Sequence, residues 1–435
     1  MLFPMTLLFN LLLLSHNCTA ANNITLSRPL SQDQILTSAG QFFELGFFQP
    51  NNFSANHQYL GIWYKGLFPR RIVWVANREK PVTQSSAANL TIGSDGNLKL
   101  LDGNQDTLWS TNVSVPSNSS AKAVLLDNGN FQLKDSLTGA NFWQSFEHPS
   151  DTLLLGGSIG YNFKTRERRE LISWKSDNDP SPGNFAVGLE DFPVQTFIWK
   201  NDLPYWRSGP WDKSRFIGIW QMDSSSTSFF TVGGDLQQGQ VYLYTNPINQ
   251  SETDNIFITP AGTLQWVFWD LEGGQGWSVV WEAPQGPCDF YGVCGPFGVC
   301  NSSKSPICSC LRGYIPKSDE EWSRGNWTGG CVRRSKLLCE TNASSIKFTN
   351  NGTDRFWKLE HMKLPDLSDY LDIPDDSCED WCVSNCSCKA YAIVYGIGCL
   401  VWTKDIIDLQ YFLDDGEALF LRLSHTEFGK IIITF

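Results

Sequence analysis

The residues best placed to do chemistry in this 435-residue chain are its cysteines. Twelve of the 13 lie from Cys288 onward: Cys288, Cys294, Cys300, Cys308, Cys310, Cys331, Cys339, Cys378, Cys382, Cys386, Cys388 and Cys399. The close spacing of Cys378, Cys382, Cys386 and Cys388 would allow a zinc site. Thiolate zinc sites belong to reducing compartments, however, and the chain holds only 5 His, scattered. Paired disulfides are the better reading. A second pattern, Gly156-Gly157-Ser158-Ile159-Gly160, fits the nucleophile elbow of hydrolases. That chemistry needs a strand-to-helix turn of an α/β sheet, and this region lacks the alternation such a sheet requires. His148, in a Glu-His-Pro turn, reads as a turn residue rather than a base. No catalytic residue, metal or cofactor is expected, and the chain reads as a recognition protein rather than an enzyme.

The compartment follows from the N-terminus. Leu7-Leu8-Phe9 and Leu11 to Leu14 form an apolar run too short to span a bilayer comfortably, and Ala20-Ala21 suits a peptidase. Residues 1–21 are therefore expected to be a signal peptide that carries Cys18 away and leaves an even number of thiols. Asn-x-Ser/Thr sequons stand at Asn23, Asn52, Asn89, Asn112, Asn118, Asn249, Asn301, Asn326, Asn342 and Asn351, the expected glycosylation sites. Asn385 heads another, but Cys386 follows it and would be tied down first. A net charge of −12 argues against nucleic acid as a partner.

These residues need a scaffold. The length calls for several domains, and 18 Trp with 28 Phe supply packed cores. From Ile24 to about Gln144 the chain reads as short strands between Gly, Asn, Asp and Ser turns, namely Phe42–Phe48, Tyr59–Tyr64, Ile72–Ala76, Leu98–Leu101, Ala123–Leu126 and Phe131–Leu133. A sandwich, barrel or prism would result. Asp95-Gly96-Asn97-Leu98 recurs as Asn128-Gly129-Asn130-Phe131 about 33 residues on, followed by Trp109 and Trp143 respectively. Gly-Asn permits a tight turn with positive φ and drops the next apolar residue into a core. Weaker echoes at Pro182-Gly183-Asn184-Phe185 and Ala261-Gly262-Thr263-Leu264 suggest a second domain of the same kind between about 150 and 280. Cys288 to Cys331 has the six-cysteine layout of a growth-factor-like module. Gly286-Pro287 stands where a calcium site would need acids. Farther on, Ser377 and Asp380 could cap a short helix that places Cys378 and Cys382 on one face.

Longer stretches are recognisable. Val73-Trp74-Val75-Ala76-Asn77-Arg78-Glu79-Lys80-Pro81 is followed by Trp143-Gln144-Ser145-Phe146-Glu147-His148-Pro149-Ser150-Asp151-Thr152-Leu153. Next come Ser173-Trp174-Lys175-Ser176, Asp179-Pro180-Ser181-Pro182-Gly183 and Tyr205-Trp206-Arg207-Ser208-Gly209-Pro210-Trp211. Cys288-Asp289-Phe290-Tyr291-Gly292-Val293-Cys294-Gly295 and Asn385-Cys386-Ser387-Cys388-Lys389-Ala390-Tyr391 close the series. In this order they closely resemble the extracellular half of plant S-locus receptor-like kinases (the G-type, bulb-type lectin S-receptor-like serine/threonine kinases) and S-locus glycoproteins.

The resemblance implies a mainly β chain. A bulb-type lectin domain of β-prism type would cover 22–146, and an S-locus glycoprotein region, a second lectin-like prism, 147–283. An EGF-like module (284–331) and an α+β PAN/apple module (339–423) would follow, with a tail at 424–435. That tail carries Ile431-Ile432-Ile433, where a truncated membrane span could begin, although a crossing needs about twenty residues. Relatives continue into a serine/threonine kinase, whose Gly-rich loop, catalytic-loop Asp and Asp-Phe-Gly are absent from this sequence. The implied bridges are Cys288–Cys300, Cys294–Cys308 and Cys310–Cys331, then Cys378–Cys399 and Cys382–Cys388, which leaves Cys339–Cys386.

Mannose-binding relatives use Gln-x-Asp-x-Asn-x-Val-x-Tyr. The first copy here keeps Asp95 and Asn97 but has Gly93, Lys99 and Leu101 at the other positions. The second keeps only Asn130. A sugar site needs several convergent hydrogen-bonding groups, so this one reads as vestigial. The favoured role is an extracellular module, secreted or at the plasma membrane, that binds a secreted peptide or protein in pollen recognition or defence-type perception. Weak carbohydrate binding is the alternative, and a homodimer through the lectin-like half is implied as well. Within Trp199–Trp220, Arg207, Lys213 and Arg215 stand among Trp206, Trp211 and Trp220, the mixture that binding hot spots favour, and are the candidate ligand contacts. The aromatics have a second reading, as filling of the second core.

Overall fold

Alternation of apolar and polar residues sets the strands. In Leu98–Leu101 and Phe131–Asp135, Leu98, Leu100, Phe131 and Leu133 are fully buried while Lys99, Gln132 and Lys134 face outward. The computed structural model describes residues 23–50, 57–83, 87–117, 119–190, 192–222, 229–235, 237–246, 253–270, 276–340 and 354–428. The expected signal peptide, the end of the tail and the sequons at Asn52, Asn118, Asn249, Asn342 and Asn351 lie outside the described residues.

Three four-stranded antiparallel sheets enclose the first core and form a β-prism. One comprises Asn23–Thr25, Ala121–Leu125, Phe131–Asp135 and Asn141–Gln144. Another comprises Leu30–Ser31, Asn89–Ile92, Leu98–Leu101 and Thr107–Ser110. The third comprises Ile35–Thr37, Phe43–Phe48, Tyr59–Tyr64 and Ile72–Val75. Pairing of Ile24 with Ala123 closes the prism by joining its first strand to its late ones. The rings of Trp74, Trp109 and Trp143 meet edge to face at 5.5–5.9 Å and fill the interior. The repeated turns are tight as expected, with Gly96 at φ +78° and Gly129 at φ +83°.

A second prism repeats the plan. Its sheets are Thr152–Leu154, Asn255–Ile258, Leu264–Asp270 and Gly276–Ala283; then Arg168–Arg169, Ser158–Asn162, Gln240–Thr245 and Phe230–Gly233; then Leu171–Ser176, Asp179–Glu190, Gln195–Lys200 and Leu203–Pro210. The echo at Gly262 is a true turn, with φ +87°. The echo at Gly183 is not, because that glycine lies inside the strand Asp179–Glu190. There it lets the backbone approach the Trp174 carbonyl and Ser173 hydroxyl, where the strand register slips.

In the cysteine-rich part the growth-factor-like region and the last module share a sheet. Eight of its described strands form one sheet in the order Cys308–Cys310, Gly298–Cys300, Leu409–Tyr411, Arg355–Lys363, Glu417–Leu423, Ala390–Val394, Gly398–Trp402, Asp369–Leu371, and Tyr314–Pro316 pairs separately with Cys331–Arg333. A parallel joint, Val299 to Leu409 and Cys300 to Gln410, welds the growth-factor-like strands to the last module. The helix Cys378–Ser384 buries Cys378 and Cys382 on one face. Its capping box does not form. Ser377 already has near-helical backbone after a 3-10 turn, whereas a capping residue needs an extended one, and its hydroxyl bonds Asp376 instead.

Disulfides join Cys288 to Cys300, Cys294 to Cys308, Cys310 to Cys331, Cys339 to Cys386, Cys378 to Cys399 and Cys382 to Cys388. The sulfurs considered for zinc are thus consumed in bridges. So are those of Cys294, Cys300 and Cys308, which crowd within 4.8 Å of one another.

Candidate recognition site

The lectin-motif asparagines are built into their turns. Asn97 is buried; its Oδ1 accepts from the Thr111 hydroxyl at 2.9 Å and the Val113 amide at 2.7 Å, and its Nδ2 donates to the Val113 carbonyl. Asn130 is used in the same way. Its Nδ2 donates to Gln144 Oε1, and its Oδ1 accepts from the Ser145 hydroxyl and the Phe146 amide. Asp95 is exposed and pairs with Lys99 at 2.8 Å, which holds its carboxyl below the usual range. Hydrogen-bonding capacity of both asparagines that could converge on a sugar is spent locally, at the ends of the strands Thr107–Ser110 and Asn141–Gln144.

The cationic residues of the Trp199–Trp220 stretch separate. Arg207 has no exposed surface, because its strand Leu203–Pro210 packs against the last module. Its Nη2 donates to the carbonyls of Leu364 and Asp408, and its Nε meets Asp408 Oδ2 at 2.7 Å. That last contact is too bent to count as a hydrogen bond, so it acts as a charge pair. Lys363 reaches the same oxygen at 3.1 Å. Arg207 is therefore a buried strut between modules and not a ligand contact. Arg215 is spent in a similar way, on Asp415 and Glu417 across the same junction and on Asp212 in its own loop. Lys213 alone of the three is exposed. Asp212 Oδ1 accepts the Ser214 and Arg215 amides and thereby holds Lys213 at φ +80°.

The aromatics divide as well. Trp206 and Phe216 belong to the second core, Trp211 packs against it, and Trp220 stays 57% exposed. One neighbour gave no sequence signal. The hairpin tip carrying Tyr395, 95% exposed, lays Gly396 against the Asp212 carbonyl beside the Lys213 loop. Single exposed aromatics at hairpin tips carry no pattern in sequence.

The remaining candidates are structural. Ser158 starts a strand, and its hydroxyl accepts from Arg169 Nη1 at 2.8 Å rather than from a base. His148 stacks on Trp143 with ring centroids 5.4 Å apart, and burial lowers its pKa. Its carbonyl accepts the Trp74 indole N–H at 2.9 Å. Among the described sequons, Asn112 and Asn326 are exposed, whereas Asn23, Asn89 and Asn301 are half-buried. Sequence reasoning missed the joint between the prisms. Arg71 lies over the Phe257 ring at 3.4 Å and donates to Asn255, while Arg78 donates to the carbonyls of Ser173 and Pro180. Both act on the buried Asp151, whose carboxyl burial pushes up despite the two cations.

Comparison with known proteins adds to this. The chain matches a D-mannose binding lectin model over 71–175, an S-locus glycoprotein domain over 206–318 and a PAN-like domain over 339–409. It is 46% identical over 417 residues to the G-type lectin S-receptor-like serine/threonine-protein kinase SD1-29 of Arabidopsis thaliana, covering 94% of this chain and 51% of that protein. A second Arabidopsis kinase of the same description is 44% identical over 439 residues, covering 99% of this chain and 53% of its own length. The chain thus spans about half the length of the curated relatives it matches. A monomeric mannose-binding lectin from Gastrodia elata is 16% identical, with a TM-score of 0.22 over 29% of this chain and 96% of that one. No helix among the described residues is long and apolar enough to cross a membrane. The domains present are those of the ectodomain, and the kinase part of the relatives is absent from this chain. By these three domains in this order, the chain is similar to the half of the G-type lectin S-receptor-like serine/threonine-protein kinases that it spans.

Proposed function

We propose that this chain is an extracellular recognition module that binds a secreted peptide or protein, in cell-surface signalling of the pollen-recognition or defence type. The observation that carries the reading is the internal bonding of Asn97 and Asn130, which leaves the lectin-type turns without the groups a sugar would need. Loops on a rigid scaffold are free to vary, and the exposed Lys213 beside the Tyr395 hairpin is the contact we favour. In an acidic chain, Lys213 also suits an acidic segment of the partner. N-glycans on the sequon asparagines and pairing of two copies through the lectin-like half belong to the same proposal. A carbohydrate partner is the second reading, supported by the match to the mannose-binding lectin model.

The test displays secreted proteins and peptides against the purified chain and follows each binder with Lys213→Glu and Tyr395→Ser. Binding that weakens at least tenfold in a variant with unchanged melting temperature, and that ignores mannan, supports the reading. Binding that mannan competes away, or that neither variant alters, contradicts it.

A further inference from the structure

The two prisms share a plan but fill it differently. In the first, three tryptophan rings meet at the centre. In the second, Trp206, Trp266 and Trp281 stand around a cavity of about 180 Å³. Its wall draws on all three sheets, with Leu171, Val187, Leu243, Ile256 and Leu264 among the lining residues, and it is overwhelmingly hydrocarbon. Protein interiors keep few voids larger than a water molecule, and a dry apolar cavity of about 150 Å³ holds a benzene-sized molecule. The wall also contains two buried polar atoms without hydrogen-bond partners, Thr196 Oγ1 and Trp266 Nε1.

A shallow recess adjoins the cavity and shares Trp206, Ile219, Gln221 and Trp281 with it. There Gln221 is exposed and donates to Gln285 Oε1 at 3.2 Å, while Glu282 and Asp289 make the rim acidic. An apolar chamber with an acidic, amide-bearing rim selects against a carboxylate and for an uncharged polar end. We propose that the second prism holds a binding site for a compact neutral molecule of about one-ring size, apolar at one end and bearing a hydroxyl or similar donor at the other. The site stands independently of the peptide reading above. The Trp-Arg-Ser-Gly-Pro-Trp run then has two uses, with Arg207 tying modules together and Trp206 and Ser208 lining the chamber.

Benzyl alcohol and benzoate are matched probes for this site, read by calorimetry and by fluorescence of the lining tryptophans on the whole purified chain. Benzyl alcohol is expected to bind saturably, and benzoate at least tenfold more weakly. Val187→Phe fills the chamber and should weaken benzyl alcohol binding at least tenfold. Should that variant fail to fold, Glu282→Lys at the rim decides the matter, since it should narrow or reverse the preference between the two probes. Absence of saturable benzyl alcohol binding, full binding by folded Val187→Phe, or a preference unmoved by Glu282→Lys would each overturn the proposal.

Discussion

Asp408 shows at the residue scale what the sequence could and could not say. It sits between Arg207 and Lys363, and its Oδ1 accepts the Gly292 amide, so three modules converge on one carboxylate. Arg207 looked like a ligand contact because its neighbours are aromatic. Its true partner lies 201 residues away, and no local pattern can reveal a pairing that only packing creates. Asp408→Asn removes the carboxylate that Arg207 and Lys363 share and leaves the two buried cations with only the weaker influence of Asp366 and Asp289. We expect it to cost about 3–5 kcal/mol, measured by urea denaturation. Asp366, close by, provides a pH test. Burial would raise its carboxyl, but the Arg207 guanidinium and the Tyr291 hydroxyl, donating at 2.6 Å, outweigh it and hold the group below its ordinary 3.8. The unfolded carboxyl therefore takes up protons first as pH falls. The stabilisation is complete above that value and is lost as pH drops through the lower, folded one. Asp366→Asn should lower stability at neutral pH and flatten the acid dependence below about pH 4, as followed by denaturation across pH. An unchanged acid limb would remove Asp366 from the account.

Local elements were the most legible part of the chain. Strands at Tyr59–Tyr64 and Leu98–Leu101 form at the expected bounds: the second writes its period of two into the sequence, whereas the first is buried throughout and is marked by its aromatic and β-branched content. Glycine was less reliable as a marker. Gly129 and Gly183 sit in the same motif, yet one turns the chain and the other admits a neighbouring strand. Gly-Asn records a need for a small residue without recording the reason. At Gly129 both needs coincide, since an added Cβ would lie 2.6 Å from Leu154 Cδ1 and 2.9 Å from the Phe43 ring. Gly129→Ala should cost about 1–3 kcal/mol in thermal or urea unfolding of the first prism. A neutral effect would mean that the turn relaxes elsewhere. The parallel joint of Val299 with Leu409 was invisible beforehand because cysteine spacing suggests small separate modules and says nothing of sheets shared between them.

For the whole molecule, the ordered motifs made the domain series readable, while the contacts between domains were not. Arg71 and Arg78 join the prisms, and Arg207 and Arg215 join the second prism to the cysteine-rich sheet. Four arginines thus hold modules to one another in an acidic protein. The central claim is that a lectin scaffold has kept its turns and given up its sugar chemistry. Isothermal titration of the deglycosylated chain with mannose and mannan oligosaccharides measures this directly. The account predicts no binding tighter than about 0.1 mM, or about −5.5 kcal/mol. Saturable binding below that constant, lost on Asn97→Ala in a folded protein, would contradict it.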